Sequence, residues 1–469
     1  MVFSSLPFLF VFLPVFFLLY GLAPRRWKNA LLFAGSLAFY AYGAVETPLY
    51  ILLLLLTILV NWRVGLRLAP GRPRRKLWLV LGVVYDFFWL FLFKYAGFFF
   101  DNGAALWNLA TGDAVSRSWS LILPIGISFY TFQLISYVAD VYSGKAAAEK
   151  NPIDFAAYVL FFPQLIIGPI VKYREMADQL HTVKNRCSLA QIEQGAQLFI
   201  FGLAKKVILA DSIGALWRGI IGADGVGLAN TSTPLAWLGI LAYSFQLYFD
   251  FAGYSEMSNG LAAMLGFDCP ANFNLPYISA SITEFWRRWH ISLSGWFRDY
   301  IYIPLGGNRK GAARQLFNMF VVWAATGIWH GANWNFIVWG LYYFVLLTIE
   351  KLFLLKYLKK GRVWPHLYTL FFVILGWGIF TANDPGAPLG LLMQKLFLPQ
   401  SGISPVYFLR CYGVFLLLCS VCSTPLPGML WKKLCRCTPL KLLAFAGLTV
   451  LCTAYVVAAT NASALYANF

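Results

Sequence analysis

Charge is what this sequence has least of. Asp, Glu, Lys and Arg make up only 12% of its 469 residues, against about 25% in soluble domains. With 60% hydrophobic residues in recurring apolar runs, a set of water-soluble domains is excluded and the chain is placed in a bilayer. Acidic residues are scarcer still, 19 against 37 basic ones, for a net charge of +18. In a soluble protein that excess would suggest a nucleic-acid partner. Here Lys and Arg cluster in short stretches between apolar runs, the positive-inside pattern of cytoplasmic loops, and no soluble basic domain exists to hold nucleic acid. The eight cysteines lack framework or metal-ligand spacing. Cys435 and Cys437 lie in a basic stretch, and Cys411, Cys419 and Cys422 lie in or beside one apolar run, so they read as small hydrophobes and no metal is expected. The G-x-S-x-G, H-E-x-x-H and G-x-x-x-x-G-K-[ST] patterns are absent, so there is no hydrolase elbow, zinc-protease helix or P-loop. Internal repeats, low-complexity segments and linkers are also missing.

What is present reads as one polytopic unit over residues 1–469. The first apolar run has no basic residues before it, and Arg25 and Arg26 follow it, so it reads as a retained span oriented outside to inside rather than a signal peptide. Spans are expected at 29–44, 49–61 and 77–96, with an outer loop at 97–120. Six basic residues between Arg63 and Lys76 mark a cytoplasmic connection. A crossing at 121–142 carries Gln133, Ser136 and Asp140, polar groups that belong against protein or a water-filled space. The stretch 155–176 has basic residues on both sides and contains Pro163, Gly168 and Pro169. It reads as a re-entrant element. Residues 190–221 are helical in pattern, and 235–265 cross with Asp250 and Glu256 inside the span; Arg287 and Arg288 are their expected partners. Two apolar runs, 315–331 and 334–350, meet at WHGANW. Spans at 366–383, 405–424 and 441–460 complete about twelve crossings with two re-entrant elements; 389–398 reads as interfacial, and Lys432, Lys433 and Arg436 as part of the last inner loop.

Histidine is the rarest titratable side chain, with four copies, and two of them, His290 and His330, sit beside tryptophans between residues 284 and 335. A polar ring at membrane depth is costly and marks a functional site. Taken as one helix, 286–300 places Trp286, Trp289, Leu293, Trp296 and Tyr300 on one stripe and Arg287, His290, Ser294 and Arg298 on another. Such a helix suits the membrane interface, yet an anchor requires Arg and Trp and no imidazole. GGNRKG, with Arg309 and Lys310, either cradles the phosphates of a nucleotide-bearing donor or is a cytoplasmic turn with topogenic charges. No charge intervenes between Arg314 and His330. Gly327 and Gly331 are expected to leave room around the His330 ring, and Asn333 to support it. Neutral imidazole can take a proton from a hydroxyl attacking a carbonyl. A reaction driven by an already activated donor, such as acyl transfer from a thioester, fits residues of this kind.

The stretches MVFSSLPFLFVFLP, LPIGISFYTFQLISYVADVYSG, FFPQLIIGPIVKYREM, YFDFAGYSEM, FWRRWHISLSGWFRDYIYIPLGGNRKG and GIWHGANWNF resemble the membrane-bound O-acyltransferase (MBOAT) family, and within it the branch that acetylates alginate and similar exopolysaccharides. The resemblance covers the first three quarters of the chain. It implies an all-α polytopic fold of about 11–13 transmembrane helices plus re-entrant elements around a funnel or tunnel, in the bacterial cytoplasmic membrane. The family's near-universal histidine falls on His330 and its second catalytic position on His290. Arg287, Arg288, Arg309 and Lys310 are candidates for binding the donor, with Asp250, Glu256 and Asn333 as interior polar support. The implied donor is a cytoplasmic thioester, acetyl-CoA or an acyl carrier, with no bound cofactor. The acceptor is an exported polysaccharide, reached directly or through a partner of the SGNH-hydrolase type. D-alanyl transfer to teichoic acid from a phosphopantetheine carrier is the enzymatic alternative. A transporter or channel, or a structural subunit, are the non-enzymatic ones.

Overall fold

The apolar runs become helices, which satisfy their own backbone hydrogen bonds as a bilayer demands. The computed structural model describes residues 2–182, 188–222, 225–382 and 387–459. Among these there is no strand, only an isolated bridge between Thr231 and Ile403. The chain divides into two compact units: residues up to Gly195 with Ser258–Pro270, and Ala196–Met257 with the remainder from Ala271.

In the first unit a π-helical turn, Phe8–Phe12, leads into α1 (Leu13–Leu22). There follow α2 (Lys28–Gly43), α3 (Leu49–Leu68) and α4 (Arg75–Thr111), the last passing through a π segment at Phe91–Tyr95. Residues 97–111, expected in an outer loop, are therefore helical. Nothing there stops the helix until Gly112, whose φ of 76° closes it. The next helix, α5 (Ile127–Tyr142), starts later than the pattern suggested, after Pro124 and a left-handed Gly126. Its Gln133, Ser136 and Asp140 are all buried, as their polarity required. The helices α6 (Pro152–Val159) and α7 (Tyr173–His181) flank a buried non-helical stretch. Arg174 on α7 meets Asp140 at 3.3 Å.

The chain enters the second unit through α8 (Leu189–Ala204), a π segment at Lys205–Ala210, α9 (Asp211–Ile221) and the largely buried α10 (Thr233–Met264). Here one expectation fails. Asp250 and Glu256 do not meet Arg287 and Arg288: Lys206 lies 2.6 Å from Asp250 and 2.7 Å from Asp211, and Lys205 pairs with Glu256. Backbone proximity is the cause. A Cβ on Gly202 would stand 2.4 Å from the carbonyl oxygen of Gly253, so α8 and α10 touch and both lysines emerge beside the carboxylates of α10.

The single helix expected over 286–300 is also two, α11 (Ile282–Arg288) and α12 (Ile291–Phe297), broken at Trp289 and His290. The two stripes therefore do not share one axis. Next come α13 (Ala312–His330), α14 (Trp334–Ile349, with its helical extension to Leu358) and α15 (Trp364–Thr381). The short α16 (Leu389–Phe397), α17 (Val406–Cys422), α18 (Leu426–Leu434) and α19 (Thr438–Ala458) complete the described chain. Lys432 and Lys433 belong to α18, bent 77° from α17, rather than to a loop.

Six helices among the described residues are long and apolar enough to cross a membrane, and seven if α17 and α18 count as one span. The count falls below the sequence expectation because several apolar runs fold into shorter helices, such as the 16 residues of α2. Single cysteines placed in the turns at 69–74 or 359–362, inside the basic stretches 63–76 and 351–362, should react with an impermeant maleimide only after the inner face is opened. Labelling of intact cells would reverse the orientation.

Candidate active site

Three local devices build the site in the second unit. The first fixes α11. Its exposed N-terminal amides are met by the carboxylate of Glu350, which accepts from Ile282 N at 2.7 Å and Thr283 N at 2.8 Å, while the Thr283 hydroxyl donates to it at 2.6 Å. A buried carboxylate is well placed at the positive end of a helix. Ser281 adds a conventional cap on Glu284 N.

The second device is a strap over residues 272–274. Asn274 N donates to Arg288 O and Ile291 N to Asn272 O, both at 2.9 Å. Between these two bonds the chain turns at His290, with φ 44° and ψ 55°. A non-glycine residue in the left-handed region costs on the order of 1–3 kcal/mol and persists only where its surroundings impose it. Leu275, the residue just after the strap, has φ 46°.

The third device is the α13–α14 hairpin. A Cβ on Gly327 would lie 2.5 Å from Phe336 O, and one on Gly340 would lie 2.5 Å from Trp323 O. The two backbones are therefore in contact, and His330 ends α13 one turn beyond Gly327. Gly327 and Gly331 do not leave space around the ring, as the sequence suggested; a Cβ on Gly331 would strike the Phe336 ring at 2.3 Å. Asn333 caps α14. Asn335 Nδ2 donates to Phe380 O at 2.8 Å, tying α14 to α15.

These devices bring His290 and His330 to the wall of one cavity of about 260 Å³. Trp286, Leu293, Phe297, Met319, Trp323 and Leu347 supply apolar lining, and Arg287 and Arg298 supply charge. Both imidazoles are buried, at 1% and 3% exposure. The Trp329 ring is 6.2 Å from that of His290 and 4.9 Å from that of His330. Phe251 meets His290 edge-on at 4.7 Å, and Trp339 and Phe380 meet His330 edge-on at 5.0 and 5.2 Å. His290 lies outside the six long apolar helices, and burial holds its ring well below the ordinary imidazole range, so it is neutral.

The other candidates are not on this wall. Arg288 is bonded to Glu284 and to Asn274 O. Arg309 and Lys310 lie in the exposed turn that follows Gly306 and Gly307, whose φ values of 108° and 56° account for the glycine pair. Asp250 and Glu256 are held by lysines, and Asn333 serves as a cap. Conversely, Asn272 was missed: it lies in an irregular loop with no motif to point to it. A larger cavity, about 450 Å³, opens in the first unit beside Glu149, Arg174 and His181. Its histidine is committed to the buried Glu149 at 2.9 Å, which also accepts from Tyr173, so it is a poorer candidate for chemistry.

The pattern of the membrane-bound O-acyltransferase family matches residues 146–384, which contain every residue on the wall of the histidine cavity. The chain belongs to the membrane-bound O-acyltransferase family. This O-acyltransferase is 45% identical over 397 residues to a protein of Pseudomonas aeruginosa named "Probable alginate O-acetylase", covering 82% of this chain and 72% of the relative. It is 43% identical over 390 residues to the protein of the same name from Azotobacter vinelandii, covering 82% and 76%. A "Peptidoglycan O-acetyltransferase" of Helicobacter pylori is 36% identical over 428 residues, covering 84% and 79%. Family membership and the long apolar helices agree on a multi-pass membrane enzyme.

Proposed function

We propose that this acyltransferase moves an acetyl group from a cytoplasmic thioester, acetyl-CoA or an acyl carrier, to a hydroxyl of an exported polysaccharide resembling alginate. The observation that carries the reading is the meeting of two buried histidines on one apolar cavity. His330 is the general base. It takes the acceptor's proton as the hydroxyl oxygen bonds to the thioester carbonyl carbon; the C–S bond then breaks and the thiolate leaves, to be protonated as a thiol. His290 orients the donor or relays the proton. The acceptor is the sugar itself or a carrier residue on an extracytoplasmic SGNH-type partner. The bacterial cytoplasmic membrane, where such a donor and an exported polymer face opposite sides, is the setting this chemistry requires.

Support for acetyl transfer to polysaccharide comes from the relatives' names. Acetyl ester on exported polymer, measured in a deletion strain and after complementation, tests the reading. Loss and restoration of acetyl ester support it. D-alanyl ester in its place supports the alanylation alternative, and unchanged esters with altered solute flux support a transporter.

Arg287 separates from the other cations here. It lines the cavity and no acidic partner is recorded for it among the described residues, whereas Arg288 is neutralised by Glu284. Arg287→Gln should raise the KM for a phosphate-bearing thioester by about 10–100-fold with little change in kcat, as loss of a charged hydrogen bond predicts. Joint neutralisation of Arg309 and Lys310, which lie off the cavity, should raise KM much less. Steady-state kinetics in proteoliposomes with acetyl-CoA measures both.

A further inference from the structure

We infer that Asn272 is a positioning residue that locks His290 in the tautomer protonated on Nδ1, leaving Nε2 as the proton-accepting atom. The inference rests on the role of His290 proposed above but is decided by hydrogen-bond geometry. Asn272 is buried, and its Oδ1 lies 3.2 Å from Ser292 N, 2.9 Å from Ser292 Oγ and 3.0 Å from His290 Nδ1. A backbone N–H can only donate, so the Ser292 amide requires an oxygen at that position. The reversed amide would set NH₂ against N–H, which fixes the side-chain orientation. That same oxygen can only accept, so the Nδ1 facing it carries the proton.

In a neutral imidazole the second nitrogen is then a lone pair. Nε2 of His290 is buried and has no hydrogen-bond partner among the described residues, so its accepting capacity remains for a group entering the cavity. The backbone bond from Ile291 N to Asn272 O and the left-handed turn at His290 hold the ring against this oxygen. A residue that orients a base through its far nitrogen is the usual third member of a catalytic arrangement. Here it is a neutral amide, which fixes the tautomer without adding charge to an apolar site.

The test uses the full-length protein and the fact that it has four histidines. With ¹⁵N-histidine labelling in lipid nanodiscs, the His290 signals are those lost in His290→Gln. They should report Nδ1–H with unprotonated Nε2. In Asn272→Ala the protonated nitrogen should change or become mixed, with acetyl transfer lowered about 10–100-fold and most of the loss in kcat. Asn272→Asp keeps the acceptor oxygen and places a carboxylate beside Nδ1, which favours the imidazolium. It should retain the Nδ1–H signal and rescue part of the activity, with the acid limb of the pH–rate profile moved upward. An Nε2–H signal in the unaltered protein overturns the inference. So does Asn272→Ala with unchanged tautomer, whatever its activity, because a purely structural loss lowers protein yield without moving either the ¹⁵N signals or the pH profile. If the protein transfers no acetyl group at all while the signals behave as described, the functional reading fails and the tautomer assignment stands.

Discussion

Replacing His330 should lower acetyl transfer by about 10²–10⁴-fold, the usual worth of general-base assistance, with the protein still in the membrane. The choice of substitution matters. The ring is 3% exposed and lies edge-on against Trp339 and Phe380, so alanine opens a cavity in a filled site and has a stability cost of its own. His330→Gln keeps most of the volume and removes the base; it should retain near-normal membrane levels while losing activity to the same extent as His330→Ala. His366 is the matched control. Its Nδ1 faces Ser279 O at 3.2 Å, and the ring is absent from the cavity wall. His181 is a second control, bonded to Glu149 in the first unit. Alanine at either should leave most of the activity. Near-normal acetylation by His330→Gln at matched expression would remove His330 from the chemistry and return weight to the transporter and scaffold readings.

The polar residues legible in the sequence were those whose chemistry is expensive. An imidazole or a carboxylate in an apolar run declares itself by its cost, and His290, His330, Asp140 and Asp250 all proved to be buried. Helices were legible for the same reason, since apolar length is what a bilayer selects. Three features were not legible. Partner choice failed at Asp250 and Glu256 because it depends on which backbones touch, and the Gly202–Gly253 contact that brings Lys205 and Lys206 alongside leaves no periodic trace. The break at His290 failed because residues 286–300 carry a sound helical pattern; the strap from Asn272 and Asn274 overrides it from outside the segment. Asn272 itself escaped because an asparagine in a loop is ordinary until its oxygen is seen facing a histidine.

Gly327→Val should be the most damaging single change, and by a different route from His330. In a bilayer, helices gain little by hiding apolar surface from apolar lipid. Close backbone approach and the dispersion contacts it allows carry much of the association. The α13–α14 pair is built this way: the position a Cβ would take on Gly327 is 2.5 Å from Phe336 O, a backbone atom that no rotamer change can move. Gly340 faces the same seam, with its own Cβ position 2.5 Å from Trp323 O and 3.2 Å from the Cα of Gly327. A branched side chain at Gly327 must therefore part the helices, and His330 lies three residues further along α13. Separation disturbs both the contact of His330 with Trp339 on α14 and its place on the cavity wall. Membrane-inserted protein should fall several-fold, and whatever remains should be nearly inactive, whereas His330→Gln protein is inactive but abundant. Gly413→Val in α17 is the control, because a Cβ there meets nothing within 4 Å and costs only a change in helix propensity. Quantitative immunoblotting of membranes, normalised against acetyl transfer, separates the two routes. A Gly327→Val protein with normal abundance and activity would mean that the hairpin can open without disturbing the histidine it carries.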